Sequence, residues 1–422
     1  MQGALICQSI IGQIHGRLYS KDFFDTYRLG NAFSRNRKLS FHNTLLFLLR
    51  SSKKSMAIDM DDFSFEFPQI NFPPVTKQAV SKARNGIKPS AFKDLFGLSV
   101  SGYYSLQDSR KTWNGYHLLA IDGTSLQLPQ NSQNIEEFGA TLNQHNIPVA
   151  MASASILYDL TDDVVMDATV ETFHYSEREM ALGHLGRLKE LGVAGKNTII
   201  LFDRGYPSYS LYREIQDMGA YFVVRLSSNM HLAPILEEGT RDYTPRGAKE
   251  PIRLRTVKVI LDDGTVETLV TNILDPSFTE EMFKELYFYR WGIEGKYREL
   301  KNRLEIEEFS GSRPSSVRQD FFISMLLSNL AGFLKADADQ FEVVPREGTD
   351  PCHYQANRGF IISRVHKYLV HMLLAPQACL AQLERIVWRA KKVRSQIRDG
   401  RKYERKHKQL RRKHHNNRKP VL

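Results

Sequence analysis

Three acidic residues, far apart in this 422-residue chain, sit where a carboxylate can hold a metal ion. Asp122 lies in the apolar run LLAIDGTSLQL (118–128), Asp203 closes the run TIILFDRGY (198–206), and Glu294 lies in YFYRWGIEGKYRELK (287–301). The first two stretches read as buried strands and the third as a helix. An unpaired Asp inside a sheet is costly, and a metal ion is its natural partner. Gly123 and Gly205 stand close behind the aspartates, where the missing Cβ permits close approach to the backbone. Two divalent ions held by shared carboxylates can activate a nucleophile and stabilise the leaving oxygen of a phosphodiester. The plainer alternative is two loop-capping aspartates and a Glu294 paired with Arg290 or Arg298 at helical spacing.

On a helical wheel, residues 277–305 separate into two faces. Met282, Leu286, Tyr289, Ile293, Tyr297, Leu300 and Leu304 form an apolar stripe that would dock on a sheet. Tyr287, Arg290, Glu294 and Lys301 form an adjoining stripe at the rim of a site. There Glu294 would be an oxygen ligand, Arg290 and Lys301 would hold phosphates, and Tyr287 would donate its hydroxyl. Arg204, next to Asp203, is placed to offset phosphate charge.

The elements that must position these groups follow in order. Strands are predicted at 118–128, 149–158 and 163–172, a helix at 176–192, a strand at 198–203, a short helix from about Ser208 and a strand at 220–226. This order matches a ribonuclease H-like sheet, an α/β fold with a mixed sheet flanked by helices. PIRLRTVKVILDDGTVETLVTNIL (251–274) carries two alternating runs around Asp263-Gly264, a hairpin signal. The expected organisation is a helical N-terminal domain (1–113), the first part of the catalytic core (114–228), a β-rich insertion (229–275), the second part of the core with the Glu-bearing helix (276–345), and C-terminal helices with a basic tail (346–422). A helix at 315–336 precedes a Pro/Gly-containing break at 345–359. In the N-terminal part, Ser40 and Thr76 are helix caps, 59–74 reads as an irregular connection, and Asn85-Gly86 stops the helix begun at Thr76. With Lys77, Gln78, Lys82 and Arg84 on it, that helix and the next match either a helix-turn-helix-like DNA reader or ordinary packing with a solvated basic face.

From Arg389 to Leu422 there are 15 lysines and arginines against two acids, more than the chain's whole net charge of +11. The rest is nearly neutral, so the tail is either a polyanion-binding arm or a solvated end. Cys7, Cys352 and Cys379 show no CxxC spacing, which fits a reducing cytoplasm and no structural zinc site. The apolar segment 4–12 lacks a charged start and a cleavage site, and no membrane span is expected.

Tyr287-x2-Arg290-x3-Glu294-x6-Lys301 resembles the Y-R-E-K signature of a large group of bacterial insertion-sequence DDE transposases. IDGTSLQLP (121–129) and FDRGYPS (202–208) look like the blocks around that family's two aspartates, and the resemblance runs from about Phe33 to about Met372. It implies a metal-binding catalytic triad of Asp122, Asp203 and Glu294 with two Mg²⁺ (or Mn²⁺) ions. Tyr287, Arg290 and Lys301 would then contact DNA near the scissile phosphate. The implied partner is double-stranded DNA, both terminal inverted repeats and target, gripped by a homodimer or larger assembly in a synaptic complex at the bacterial nucleoid. The implied reaction cleaves the element's ends and joins the 3′-hydroxyl to target DNA. Where an end passes through a hairpin, Trp291 would stack on a flipped base or simply pack. A nuclease that cuts without joining, and a silent DNA-binding descendant that represses transposition, are the alternatives.

Overall fold

A computed structural model of the chain describes residues 1–35, 38–51, 55–106, 110–193, 195–227, 237–262, 264–340 and 354–397. Asp263, most of the expected break at 345–359 and most of the basic tail lie outside the described residues. In chain order the chain forms α1 (Gln2–Leu18), α2 (Lys21–Tyr27), α3 (Phe41–Arg50), α4 (Met56–Glu66), α5 (Lys77–Arg84) and α6 (Ser90–Leu106). Then come β1 (His117–Gln127), α7 (Ser132–Phe138), β2 (Ala140–Leu142), β3 (Pro148–Asp159), β4 (Val164–Thr172), α8 (Glu177–Leu191), β5 (Thr198–Phe202), α9 (Tyr209–Asp217) and β6 (Tyr221–Arg225). Next are β7 (Gly239–Tyr243), β8 (Ile252–Ile260), β9 (Val266–Thr271), α10 (Glu280–Tyr289) and α11 (Trp291–Asn302). The last elements are α12 (Pro314–Asp339), β10 (Tyr354–Ala356), α13 (Arg358–Leu374), α14 (Cys379–Ala390) and β11 (Arg394–Gln396). Two compact units result, one of Met1–Gln107, Leu126–Ala152 and Leu300–Leu422, the other of Asp108–Ser125 and Ser153–Glu299.

The second unit is built on a mixed sheet with the order β4-β3-β1-β5-β6-β9-β8-β7. β1, β5 and β6 run parallel, through the crossovers α8 and α9. This is the strand order of a ribonuclease H-like fold, as the element order anticipated. The expected β-rich insertion continues the same sheet, because β9 pairs antiparallel with β6 and β8 and β7 follow it. Gly264, at φ +81°, turns the β8–β9 hairpin.

One element departs from its prediction in a way that matters for the site. The helix expected across 277–305 is broken into α10 and α11 at Arg290, where Arg290 N donates to Tyr287 O and Ile293 N to Arg290 O, both across three residues. The aromatic run before it and Gly292 just after it weaken helix continuity here, and a Cβ on Gly292 would lie only 2.7 Å from Leu160 Cδ2. The break shifts the phase of the wheel. Tyr289, assigned to the apolar stripe, is 39% exposed, whereas Tyr287 and Arg290, assigned to the rim, are 3% and 2% exposed.

The first unit is helical. Ser40 and Thr76 cap α3 and α5 as predicted, accepting from Asn43 N and Ala79 N. The irregular connection expected at 59–74 is mostly helical instead, because Phe63 and Phe67 bury against Phe47, Phe72 and His371 and fold α4 over them. α12 is long and apolar enough to cross a membrane. Its most apolar window is 89% buried, however, packed by α1, α6, α13 and α14. Arg84 corrects the reading of α5 as a uniformly solvated basic face. Lys77, Gln78 and Lys82 are exposed, but Arg84 is 1% exposed and paired to Asp320 at 2.7 Å.

Candidate active site

The parallel register of β1 and β5 sets Leu118 beside Ile199 and Ala120 beside Leu201. Carried two residues further, it brings Asp122 next to Asp203. Asp122 is held from three directions. Its Oδ1 accepts from Gly123 N at 2.9 Å, and its main-chain carbonyl accepts from Tyr297 Oη at 2.7 Å and from Ser155 Oγ at 3.1 Å. Behind Ser155, His184 Nε2 stands 3.1 Å from Oγ and His184 Nδ1 2.8 Å from Asp167 Oδ2, all buried. Ser155 has one hydrogen, given to the Asp122 carbonyl, so its oxygen is left to accept from His184 Nε2–H.

Asp203 and Glu294 are bridged by Arg290. Arg290 Nη2 donates to Glu294 Oε1 at 3.1 Å, and Nη1 lies 4.0 Å from Asp203 Oδ2. Tyr287 Oη donates to Asp203 Oδ1 at 3.2 Å, and Arg225 on β6 comes within 3.9 Å of that oxygen while pairing with Glu267 at 3.0 Å. The Arg290 guanidinium lies 5.2 Å from the Tyr287 ring centroid and 4.8 Å from that of Trp291, within cation–π reach of both. Asp122, Asp203, Glu294, Tyr287 and Arg290 are therefore gathered in one unit.

Arg204 and Trp291 belong to the same unit and are exposed, Trp291 at 46%. Lys301, on the last turn of α11, is half-buried and belongs to the other unit. Tyr287 and Arg290 turn onto carboxylates and not outward. Arg225, Ser155 and His184 were not singled out from the sequence. A histidine on the apolar face of α8, among Met180, Ala181, Leu185 and Leu188, was the only local signal.

Burial pushes the Asp122 carboxyl up to about 7. The Gly123 amide and Arg290 pull it down, while the negative charges of Asp203 and Glu177 add to the rise. For Asp203, burial acts upward but is outweighed by the Arg204 amide, Arg290, the Tyr287 hydroxyl and Arg225, so its carboxyl stays below the ordinary range. Because the folded value of Asp122 exceeds its unfolded value, its contribution to stability is fully present below about pH 4 and lost as pH rises through about 7. In metal-free protein the Asp122→Asn variant is expected to match wild type near pH 4 and to exceed it at about pH 8 by on the order of 2–4 kcal/mol. Urea denaturation at the two pH values reads this. A stability difference independent of pH would refute it.

The family model for the transposase DDE domain matches residues 113–330, more than half of the chain and all of the site described above. The chain belongs to the transposase DDE domain family. The chain is 25% identical over 284 residues to transposase InsG of the insertion sequence element IS4 from Escherichia coli, a match covering 62% of each protein. It is also 32% identical over 142 residues to the transposase-like protein y4zB of Sinorhizobium fredii, across 30% of this chain and 39% of that one. The chain thus spans less than two thirds of the length of these relatives. A piggyBac transposase, solved by cryo-electron microscopy in a synaptic complex with hairpin DNA, overlays with a TM-score of 0.47 at 10% identity, over 93% of this chain and 85% of that one. At that distance the likeness says nothing of individual residues.

DDE transposases as a family use divalent metal ions, and the donors gathered here fit them. They are carboxylate oxygens only, which suits hard cations such as Mg²⁺ or Mn²⁺. Burial raises the proton affinity of Asp122, and the negative charges of Asp203 and Glu177, which a cation would relieve, add to the rise. Among the described residues no three His, Cys, Asp or Glu are close enough to ligate one ion. Arg290 instead holds the place between Asp203 and Glu294.

Proposed function

We propose that this chain is a DNA transposase that cleaves the ends of an insertion sequence and joins the freed 3′-hydroxyl to target DNA. The observation that carries the reading is the convergence of Asp122, Asp203 and Glu294 with Arg290 in one unit of a DDE transposase domain. When bound, two Mg²⁺ or Mn²⁺ ions supply Lewis-acid stabilisation of the attacking and leaving oxygens.

Asp122, Asp203 and Glu294 offer the oxygen ligands, and the Gly123 amide with the Tyr297 and Ser155 hydroxyls fixes where Asp122 points. Arg290 offsets part of the negative charge of Asp203 and Glu294 before ligands enter. Lys301 and the exposed Arg204 are assigned to phosphates, and the exposed Trp291 to a base face. Each chemical step forms one P–O bond and breaks one: water displaces the element's 3′-oxygen, and that 3′-hydroxyl then displaces a 3′-oxygen in the target. No protein nucleophile is needed. The partner is double-stranded DNA, held as terminal repeats and target in a homodimeric synaptic complex.

The test is product analysis. Full-length protein is incubated with Mg²⁺, a labelled duplex bearing the element's own end and a supercoiled plasmid. Joined product, absent when the metal is chelated, is the expected result. A nicked end that never joins would move the protein to a nuclease, and binding without cleavage would make it a silent repressor.

A further inference from the structure

The peptide unit that joins Asp122 to Gly123 carries both groups that set the Asp122 side chain. Its carbonyl accepts from Tyr297 Oη and Ser155 Oγ, and its N–H, on Gly123, donates to Asp122 Oδ1. A trans peptide is planar, so its carbonyl and its N–H point in opposite directions within one plane. Holding the carbonyl therefore aims the N–H at the carboxylate. Glycine follows this peptide, and without a Cβ it offers little steric opposition to rotation of the plane. The two hydroxyls on the carbonyl resist that rotation.

Ser155 is the half of this clamp whose direction depends on a neighbour. A hydroxyl has one hydrogen and turns to suit its surroundings. Ser155 Oγ lies 3.1 Å from the Asp122 carbonyl and 3.1 Å from His184 Nε2. A carbonyl only accepts, whereas an imidazole nitrogen accepts when bare and donates when it carries a hydrogen. Both contacts are hydrogen bonds only when Nε2 carries one. A bare Nε2 would draw the Ser155 hydrogen off Asp122.

The surroundings hold His184 to this part. Asp167 Oδ2 engages its Nδ1 at 2.8 Å, and Ser155, His184 and Asp167 are 0%, 1% and 6% exposed. A serine, histidine and acid in this order resemble a nucleophilic triad, but an oxygen buried this deeply meets no substrate. The row serves the backbone of β1 instead. α8, which carries His184, is itself fastened beside both aspartates. Arg178 Nε donates to the Gly205 carbonyl at 3.2 Å, and the Glu177 carboxylate stands where a Cβ on Gly123 or on Gly205 would come within 3.1 or 2.9 Å of it.

We infer that His184 is a positioning residue for the strand-transfer reaction, acting through Ser155 to hold the Asp122–Gly123 peptide and, with it, the Asp122 carboxylate. Asp167 keeps the ring in place. The inference rests on the transposase reading above.

Single-turnover joining at saturating DNA, DNA affinity and melting temperature are compared for wild type, Ser155→Ala, His184→Leu, His184→Gln and the double variant Ser155→Ala/His184→Leu. Losing one buried hydrogen bond from the clamp should slow joining about fivefold in Ser155→Ala and in His184→Leu, with DNA affinity unchanged. The double variant should be no slower than either single one, because both remove the same link. His184→Gln, whose amide donates from near the place of Nε2, should keep most of the wild-type rate. Losses that multiply in the double variant, or a fall in DNA affinity at an unchanged joining rate, would overturn the inference. Should His184→Leu fail to fold, Ser155→Ala decides, since a full joining rate there removes the clamp. Nitrogen-15 NMR of the His184 ring in the wild-type chain without DNA gives a readout apart from activity. A hydrogen on Nε2 is expected, and a bare Nε2 refutes the arrangement. A chain that joins no DNA refutes the transposase reading, and the ring spectrum then decides the His184–Ser155 link by itself.

Discussion

Replacing Glu294 by Gln is expected to reduce joined product by on the order of 10³-fold or more while leaving the fold intact. The amide oxygen of Gln can still accept from Arg290 Nη2, now 3.1 Å from Glu294 Oε1, so the packing of α11 has no reason to change. What disappears is the negative charge. A metal ligand contributes several kcal/mol of transition-state charge stabilisation, and at ~1.4 kcal/mol per tenfold in rate a loss of ~4 kcal/mol is about a thousandfold. The assay is single-turnover strand transfer with Glu294→Gln beside wild type, each with its circular dichroism melting curve. A variant that joins DNA within about tenfold of wild type would remove Glu294 from the triad. A variant that fails to fold would show that the Arg290–Glu294 pair is structural, and Glu294→Ala would then repeat the melting defect.

The second large effect is structural. Arg84→Ala is expected to cost the first unit about 3–5 kcal/mol. The guanidinium gives four hydrogen bonds: Nε donates to Gln319 Oε1 at 2.7 Å, Nη1 to Ser310 Oγ at 2.6 Å, and Nη2 to the Ser316 carbonyl at 3.1 Å and Asp320 Oδ1 at 2.7 Å. Gln319 returns a bond to the Ile87 carbonyl at 2.8 Å, and Ser310 N caps Asp320 Oδ2 at 2.7 Å. Truncating Arg84 leaves the Asp320 carboxylate, 5% exposed, without its counter-charge, which is where most of the cost arises. Denaturant midpoints read the loss. Arg84→Met with Asp320→Leu should recover most of it, since a buried ion pair is replaceable by apolar side chains of similar volume. A double variant as unstable as Arg84→Ala would place the stability in the other hydrogen bonds instead. Gly311 adds a constraint of its own, because a Cβ there would lie 2.9 Å from Arg84 Nη1 and 2.6 Å from Ser316 Oγ.

Much of this molecule is written locally in its sequence. The alternation and β-branching of 118–128, 149–158, 163–172 and 198–203 became β1, β3, β4 and β5 within a residue or two. Ser40, Thr76 and Ser176 capped the helices they precede. Asp122 and Asp203 were conspicuous as acids in buried strands, and the spacing of Tyr287, Arg290, Glu294 and Lys301 drew attention to the segment whose Arg290 and Glu294 pair near Asp203. These features depend on neighbours within a few residues, through backbone propensity and the periods of helix and strand.

Other features had no local trace. That Asp122 stands beside Asp203 follows from the parallel register of β1 and β5, strands whose paired residues are some eighty positions apart. That the β-rich segment continues the sheet, and is not a separate body, was settled by β9 finding the open edge of β6. Arg84 looked like a member of a basic surface until α12 supplied Gln319 and Asp320 to receive it. The break at Arg290 reversed the roles of Tyr287 and Tyr289, because a wheel drawn at constant pitch cannot register one tightened turn. Glu177 was one of two acids at the start of a helix, and only the meeting of α8 with the turns after Asp122 and Asp203 distinguished it. The sequence by itself determined which segments are strands and helices and which acids would be expensive to bury. The tertiary structure alone decided which of those acids meet, because contact across a sheet is set by strand order and register, and neither is encoded in the spacing of residues along one segment.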